Sequence, residues 1–448
     1  MKTQIFTSLR SLVILLALTS PFALQAQTGK IANLRPYDQS GINVFETPKD
    51  TAAFNGLKLR FGAGFTQSFQ GLKHENNGAS VPTNKLYAIS PGFNTANANL
   101  YMDVQLADGI RLNVTSYLSS RHHNETWVKG GYIQFDKLPF KGQFWQDLME
   151  IATIKVGHME INYGDAHFRR SDGGHTLYNP FVENYIMDAF TTEIGGEVYL
   201  QKNSVFGMLG VSNGMIKGNI EDVSPEHKSP SVYGKLGYDK QLVEKIRVRV
   251  SGSVYHNGSS GSNTLYGGDR TGSNYFMVME KAGSGVTYAT NAFSGRFNPG
   301  FTYKITAYQL NGFLKVSGLE LFGTYEAAKG RSKSETAARD ADQYAIDGVY
   351  RFGQNEDLFV GLRYNAVSAR PANVAAIPAT GTTPAIPAIV YTEDVNIDRV
   401  AFSAGWFITR NILLKGEYVV QKYKDFPATD QRNSGKFNGY VIQAVVGF

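Results

Sequence analysis

The 448-residue chain contains no cysteine, so it can form no disulfide and carries no thiol for lipid attachment. It also lacks a long apolar run beyond its first turns. Its longest uncharged stretch, Pro371 to Thr392, holds Pro371, Pro378, Pro384 and Pro387, which rules out a helix there. A helical membrane span is therefore excluded from that stretch, because such a helix needs about 20 consecutive apolar residues. No Pro/Ser-rich linker divides the chain and no fixed-period repeat marks a solenoid. HExxH and CxxC frameworks are missing, so no metal site is expected from His158, His167 and His175. Gly258-Ser259-Ser260-Gly261 and Gly267-Gly268 lack the lysine and the strand–helix setting of a phosphate loop and read as loop material.

What is present begins with an export signal. Lys2 and Arg10 give a positive n-region, Ser11 to Leu18 a short apolar core, and Pro21 breaks it. Cleavage after Ala26 leaves Gln27 first. The expected divisions are a signal peptide at 1–26, a periplasmic segment at 27–54 and a membrane domain at 55–448. Glycine, tyrosine and phenylalanine are abundant (47, 25 and 28) although mean hydropathy is slightly negative. A polar average with many aromatics suits strands that face lipid on one side and water on the other.

The alternation bears this out along the chain. Leu57, Leu59, Phe61, Ala63 and Phe65 alternate with Lys58, Arg60, Gly62, Gly64 and Thr66. Leu100 to Leu106 and Ile110 to Leu118 form a hairpin about Asp108-Gly109. Further strands are predicted at Trp127–Asp136, Ile151–Asn162, Thr191–Gln201, Ser204–Ser212, Ser231–Asp239, Lys245–Tyr255, Gly285–Phe297, Gly300–Phe313, Gly318–Ala327, Tyr344–Phe352, Leu358–Ser368, Val395–Phe407, Ile412–Tyr423 and Lys436–Phe448. The fold class read from this is all-β, an antiparallel transmembrane barrel of about 16 strands, within about 14 to 18. Short connections such as Gln201-Lys202-Asn203, Val316-Ser317 and Thr409-Arg410-Asn411 alternate with long polar loops. One connection on the short-turn side, Lys137–Glu150, is long and holds a predicted short helix, Phe144–Glu150.

The last nine residues place Tyr440, Ile442, Ala444, Val446 and Phe448 on one face and end on an aromatic ring. This ending resembles that of bacterial outer-membrane proteins, and the resemblance implies that Tyr440, Ile442 and Phe448 are read by the barrel-assembly machinery. Ile154-Lys155-Val156-Gly157-His158-Met159-Glu160-Ile161-Asn162-Tyr163-Gly164 resembles the "RVGKFKxPFG" strand of the phosphate-selective porin O/P-like group. Lys155 stands loosely for the lysine of that motif and Asn162 stands where its proline falls. The resemblance implies a Gram-negative outer-membrane porin with a loop inserted after the fifth strand that narrows the pore.

On that reading the constriction residues are Asp165, His167, Arg169, Arg170 and Asp172. Arginine keeps its charge and grips carboxylate or phosphate in a fork, while a facing aspartate sets up a transverse field. Lys58, Arg60, Arg111, Lys155, Arg247 and Arg249 fall on inward positions and are expected to line the lumen. The function expected is passive diffusion of small hydrophilic solutes with an anion preference, with no catalysis and no cofactor. The alternative is a barrel serving as a structural, secretion or adhesion scaffold without an open pore. Serine and histidine near the outer rim (Ser119, Ser120, His122, His123, Ser251, Ser253, His256) form no enzyme motif. The net charge of +6 suits anionic lipid headgroups or anionic solutes rather than nucleic acid. Outer-membrane lipid is the surrounding partner, and a homotrimer is the family-level expectation.

Overall fold

Strictly alternating side chains cannot form one face of a helix, and a strand that is greasy on one face must turn that face to lipid or to a core. In the computed structural model the greasy face turns outward. The structure describes residues 31, 34–49, 53–118, 126–218, 220, 227–269, 271–283, 286–287, 291, 293–378, 385 and 387–448. The proposed signal peptide and the His122-His123 pair lie outside the described residues.

Sixteen antiparallel strands among the described residues make the barrel. They are β1 (Lys58–Glu75), β2 (Asn97–Ala107), β3 (Ile110–Leu118), β4 (Thr126–Phe135), β5 (Ala152–Glu160), β6 (Thr192–Lys202), β7 (Val205–Ser212) and β8 (Ser231–Val243). They continue as β9 (Ile246–Asn257), β10 (Lys304–Val316), β11 (Leu319–Arg331), β12 (Arg339–Phe352), β13 (Leu358–Ala369), β14 (Val395–Thr409), β15 (Ile412–Lys424) and β16 (Lys436–Gly447). Each pairs with its sequence neighbours, and β1 closes the ring on β16 in a register from Gly64 opposite Gly447 to Glu75 opposite Lys436. A two-residue ribbon, Gly92–Phe93, adds to β1. Closure leaves no sheet edge, the condition for a sheet to sit in hydrocarbon.

The outward positions are exposed, as Leu57 (69%), Leu209 (72%), Leu236 (67%) and Leu310 (61%) show, while inward charges such as Arg111, Arg249, Arg399 and Lys415 are buried. The connections at one end are tight. Asn203 and Ser204 both take positive φ (49° and 74°), the geometry of a two-residue hairpin turn that follows the strand twist. The exception at this end is α1 (Gln143–Ile151), between β4 and β5, which buries Met149 and leaves Phe144 exposed.

Two expectations need correction. The described part of Gly285–Phe297 is turn and coil, and the strand expected from Gly300 begins at Lys304. Both belong to the connection between β9 and β10, whose Tyr266, Tyr275, Phe297 and Phe301 are buried inside the barrel. The interior is accordingly well filled. Phe181, Val182, Ile186 and Met187 from one loop, and Tyr275, Val278 and Phe297 from the other, form an apolar cluster with inward Val349, Phe359, Val395, Ile397, Leu413, Val419, Val441 and Val445.

Candidate functional site

Between β5 and β6 the chain leaves the wall and makes its bonds to the far side of the barrel. The ammonium of Lys415 on β15 donates to the carbonyls of Thr176, Asn179 and Phe181, each at 2.8 Å. Glu417 accepts from the Val182 N–H (2.9 Å), Asn365 from Ile186 N–H (2.7 Å), and Gln343 from Met187 N–H (2.8 Å). Arg363 and Arg399 donate to the carbonyls of Glu183 (2.8 Å) and Asn184 (2.7 Å). Main-chain groups taken off a sheet and buried need such partners. Four strands, β12 to β15, supply them.

The five loop residues singled out from sequence sit in ion-paired networks. Asp165 is held by Arg249 through both oxygens at 2.8 Å, by Lys235 at 2.9 Å and by Ser251 at 2.7 Å. Burial works against its charge, but Lys235 and Arg249 outweigh it and keep the carboxyl well below the usual range. Arg169 reaches Asn43 and Glu320 between the rings of Phe313 and Phe322. Arg170 lies 3.7 Å over the Phe190 ring and pairs with Asp188 (2.6 Å) and Asp269 (2.7 Å). Burial likewise opposes the Asp269 charge, yet Arg170 and Arg296 hold its carboxyl at about 2. Asp172 pairs with Lys129, and His167 lies against Glu160 (2.5 Å) and Asn162 (3.0 Å). These residues bring the loop against counter-charges on β4, β5, β8, β9, β11 and the loop that follows β9.

The inward cations on the strands divide into two kinds. Arg60 pairs with Asp103 (2.9 Å), Arg111 with Asp136, and Arg247 with Asp239 (2.7 and 2.8 Å), while Arg249 binds Asp165 and Glu46. Lys58 is half-buried opposite Gln105. Lys155 differs: it has no carboxylate at ion-pair distance among the described residues and rests between the rings of Tyr132 (5.3 Å) and Tyr199 (4.7 Å). A second such cation, Arg35, comes from the segment before β1. It donates to the carbonyls of Gly41 (3.0 Å) and Phe168 (2.7 Å) and lies 3.6 Å over the Tyr178 ring.

Lys155 and Arg35 line the same cavity of about 260 Å³, with Tyr37, Tyr101, Lys129 and Glu160 among its other walls. The carboxylates facing it (Glu46, Asp103, Glu160, Asp172) all have basic partners. The lining's fixed charges balance, Arg35, Lys129, Lys155 and Arg170 against Glu46, Asp103, Glu160 and Asp172, but they are unevenly placed, and the positive field is strongest where Arg35 and Lys155 stand without a carboxylate at ion-pair distance. A low-dielectric wall strengthens that field. Sequence reasoning missed Arg35, because the segment 34–49 has no strand pattern to assign it a face. It also missed Arg363, Arg399, Lys415 and Glu417, although the same inward parity that marked Lys58 and Arg60 applies to them.

No family model and no curated protein matches the sequence. Solved structures do match in fold. The barrel is similar to an anion-selective porin from Comamonas acidovorans, with a TM-score of 0.52 at 8% identity over 88% of this chain and 100% of that one. OmpT, an outer membrane protein of Vibrio cholerae, gives 0.48 at 10% identity over 88% and 99%, and OpdL of Pseudomonas aeruginosa 0.42 at 8% over 87% and 98%. At 8% identity the match to the Comamonas porin speaks for a common barrel architecture and nothing finer.

Proposed function

We propose that the chain is an outer-membrane channel for passive diffusion of small hydrophilic solutes, with a preference for anions. A closed sixteen-strand barrel with an apolar exterior belongs in the outer membrane of a Gram-negative bacterium. The observation that carries the anion preference is the cavity in which Glu46, Asp103 and Asp172 are paired with Lys or Arg and Glu160 is hydrogen-bonded to His167, while Arg35 and Lys155 have no carboxylate at ion-pair distance. An anion entering there gains two positive charges without displacing an existing ion pair. The inserted loop, with Asp165, His167, Arg169, Arg170 and Asp172, sets the width of the passage, and its paired arginines hold it in place. The work is done by shape and field, so no catalytic group is required.

The same reading assigns residues 1–26 to a cleaved export signal and Tyr440, Ile442 and Phe448 to recognition by the assembly machinery. Tyr440, Ile442 and Phe448 are all exposed on the outer face. A homotrimer in lipid is the expected assembly. One observation favours a second reading, a scaffold without an open pore: the apolar cluster that occupies the β12–β16 side of the lumen. Planar-bilayer recording separates the two. Discrete open steps, and a salt-gradient reversal potential that loses its anion sign in the Arg35→Gln/Lys155→Gln variant, support the channel. A folded barrel that stays silent supports the scaffold, and an unchanged reversal potential refutes the role of the two cations.

A further inference from the structure

The segment 34–49 crosses the mouth of the barrel at the end that carries the tight turns. Gln39 donates to the carbonyls of Asn355 (3.0 Å) and Glu356 (3.3 Å), in the β12–β13 turn, and Asp38 pairs with Arg410 in the β14–β15 turn. Asn43 donates to Glu320 on β11 (2.6 Å), and its carbonyl accepts from Arg247 on β9 (2.9 Å). Glu46 pairs with Lys235 on β8 (3.1 Å), the Thr47 carbonyl accepts from Gln201 on β6 (3.3 Å), and Lys49 ends against Asp136 and the Ala152 carbonyl at the start of β5. These contacts run from one side of the wall to the other, so the segment is a chord across the lumen.

It also separates two spaces. Arg35, Tyr37, Phe45 and Glu46 face the 260 Å³ cavity described above. Gln39, Ser40, Ile42 and Asn43 face a second cavity of about 910 Å³, which opens among the β8–β9, β10–β11 and β12–β13 turns. Above Asn43 the segment touches the inserted loop through Phe45–Phe168 and Asn43–Arg169.

The geometry points to residues 34–49 as a displaceable partition that closes the channel at its periplasmic mouth. This rests on the channel reading above. The manner of attachment is what makes the partition displaceable. Each barrel strand is laddered to two neighbours, but among the described residues a single main-chain hydrogen bond, Gln39 N–H to the Arg410 carbonyl (2.9 Å), ties the segment to the wall. The other ties are side-chain ion pairs and hydrogen bonds, which water can replace on both partners once the segment moves. Phe45, wedged among Phe168, Phe313 and the Arg249 guanidinium, is the apolar peg that seats it. Withdrawal would join the two cavities and move Arg35 with the segment, so both cations act on an anion at the entrance while the partition is seated and Lys155, fixed on β5, keeps the preference once it has moved.

The test uses the full chain in planar bilayers. One variant replaces residues 34–49 by a glycine–serine run of equal length. A second carries Ser40→Cys and Gln354→Cys, the only thiols in the protein, joined by a reversible bis-thiosulfonate linker. The expected results are a severalfold larger unitary conductance for the replacement, and closure of the linked protein that reductant reverses. Equal conductance of replacement and unmodified protein, or a linked protein that conducts as the unlinked one does, overturns the partition and leaves the channel reading standing. Silence of all three in their folded, heat-modifiable form overturns both.

Discussion

Replacing Lys415 by Met is the sharpest probe of how the inserted loop is held. Lys415 is 2% exposed, and its ammonium is the shared donor for three loop carbonyls at 2.8 Å. Methionine keeps most of the stem volume and removes the charge. A hydrogen bond to a charged group contributes about 1.5–3 kcal/mol net of exchange with water, so three set an upper range of about 5–9 kcal/mol. Burying the ammonium offsets several kcal/mol of that. The lower limit comes from the carbonyls left behind: each buried acceptor without a donor costs at least about 1 kcal/mol, about 3 kcal/mol for the three. At about 1.4 kcal/mol per decade, docked over undocked loop falls by about a hundredfold. Hydrogen–deuterium exchange should therefore show the Val182, Ile186 and Met187 amides losing about two decades of protection, with noisier single-channel currents. The exposed pair Lys424–Asp398 supplies the control, since Lys424→Met should change neither. Unaltered protection and unaltered current noise in Lys415→Met would show that the loop is held by its apolar packing alone.

Other perturbations follow from the same contacts. Arg169→Ala/Arg170→Ala takes one cation from Glu320, which keeps Arg351, and from Asp188 and Asp269, which keep Arg296, so unfolding in detergent should occur at lower temperature, by less than the roughly 3–5 kcal/mol of a wholly unpaired buried charge, and the anion preference should weaken. An unchanged melting temperature would contradict the network. Leu209→Arg, on the outer face of β7, should destabilise the barrel by up to about 2–4 kcal/mol in lipid vesicles and much less if that face were turned to water, as guanidinium titration would tell. Removing Phe448, whose N–H and carbonyl both bond to Ala63, should slow assembly measured by the heat-modifiable gel shift, and normal kinetics would sink its assembly role.

The period-two pattern alone was enough for the wall. Leu57 to Thr66, the Asp108-Gly109 hairpin and the Tyr440–Phe448 ending all state which side chains face out, because pleating ties that choice to parity within a single strand. The helix after β4 was legible from its local sequence too, each end moving by one residue, to Gln143 and Ile151. Gly285–Phe297 misled because a short stretch of mixed apolar and small polar residues looks the same in a strand and in a loop; Phe297 packs into the interior cluster while Phe293 stays exposed.

What the interior holds was decided elsewhere. That Lys415 grips the loop, that Arg169 and Arg170 spend their charge on Glu320, Asp188 and Asp269, and that Arg35 joins Lys155 at one cavity are contacts between residues far apart in sequence. Alternation assigns a side chain to the inside of the barrel but not to a partner across it. Partners across a lumen depend on how two loops and the segment 34–49 share a fixed volume, and only the assembled chain determines that.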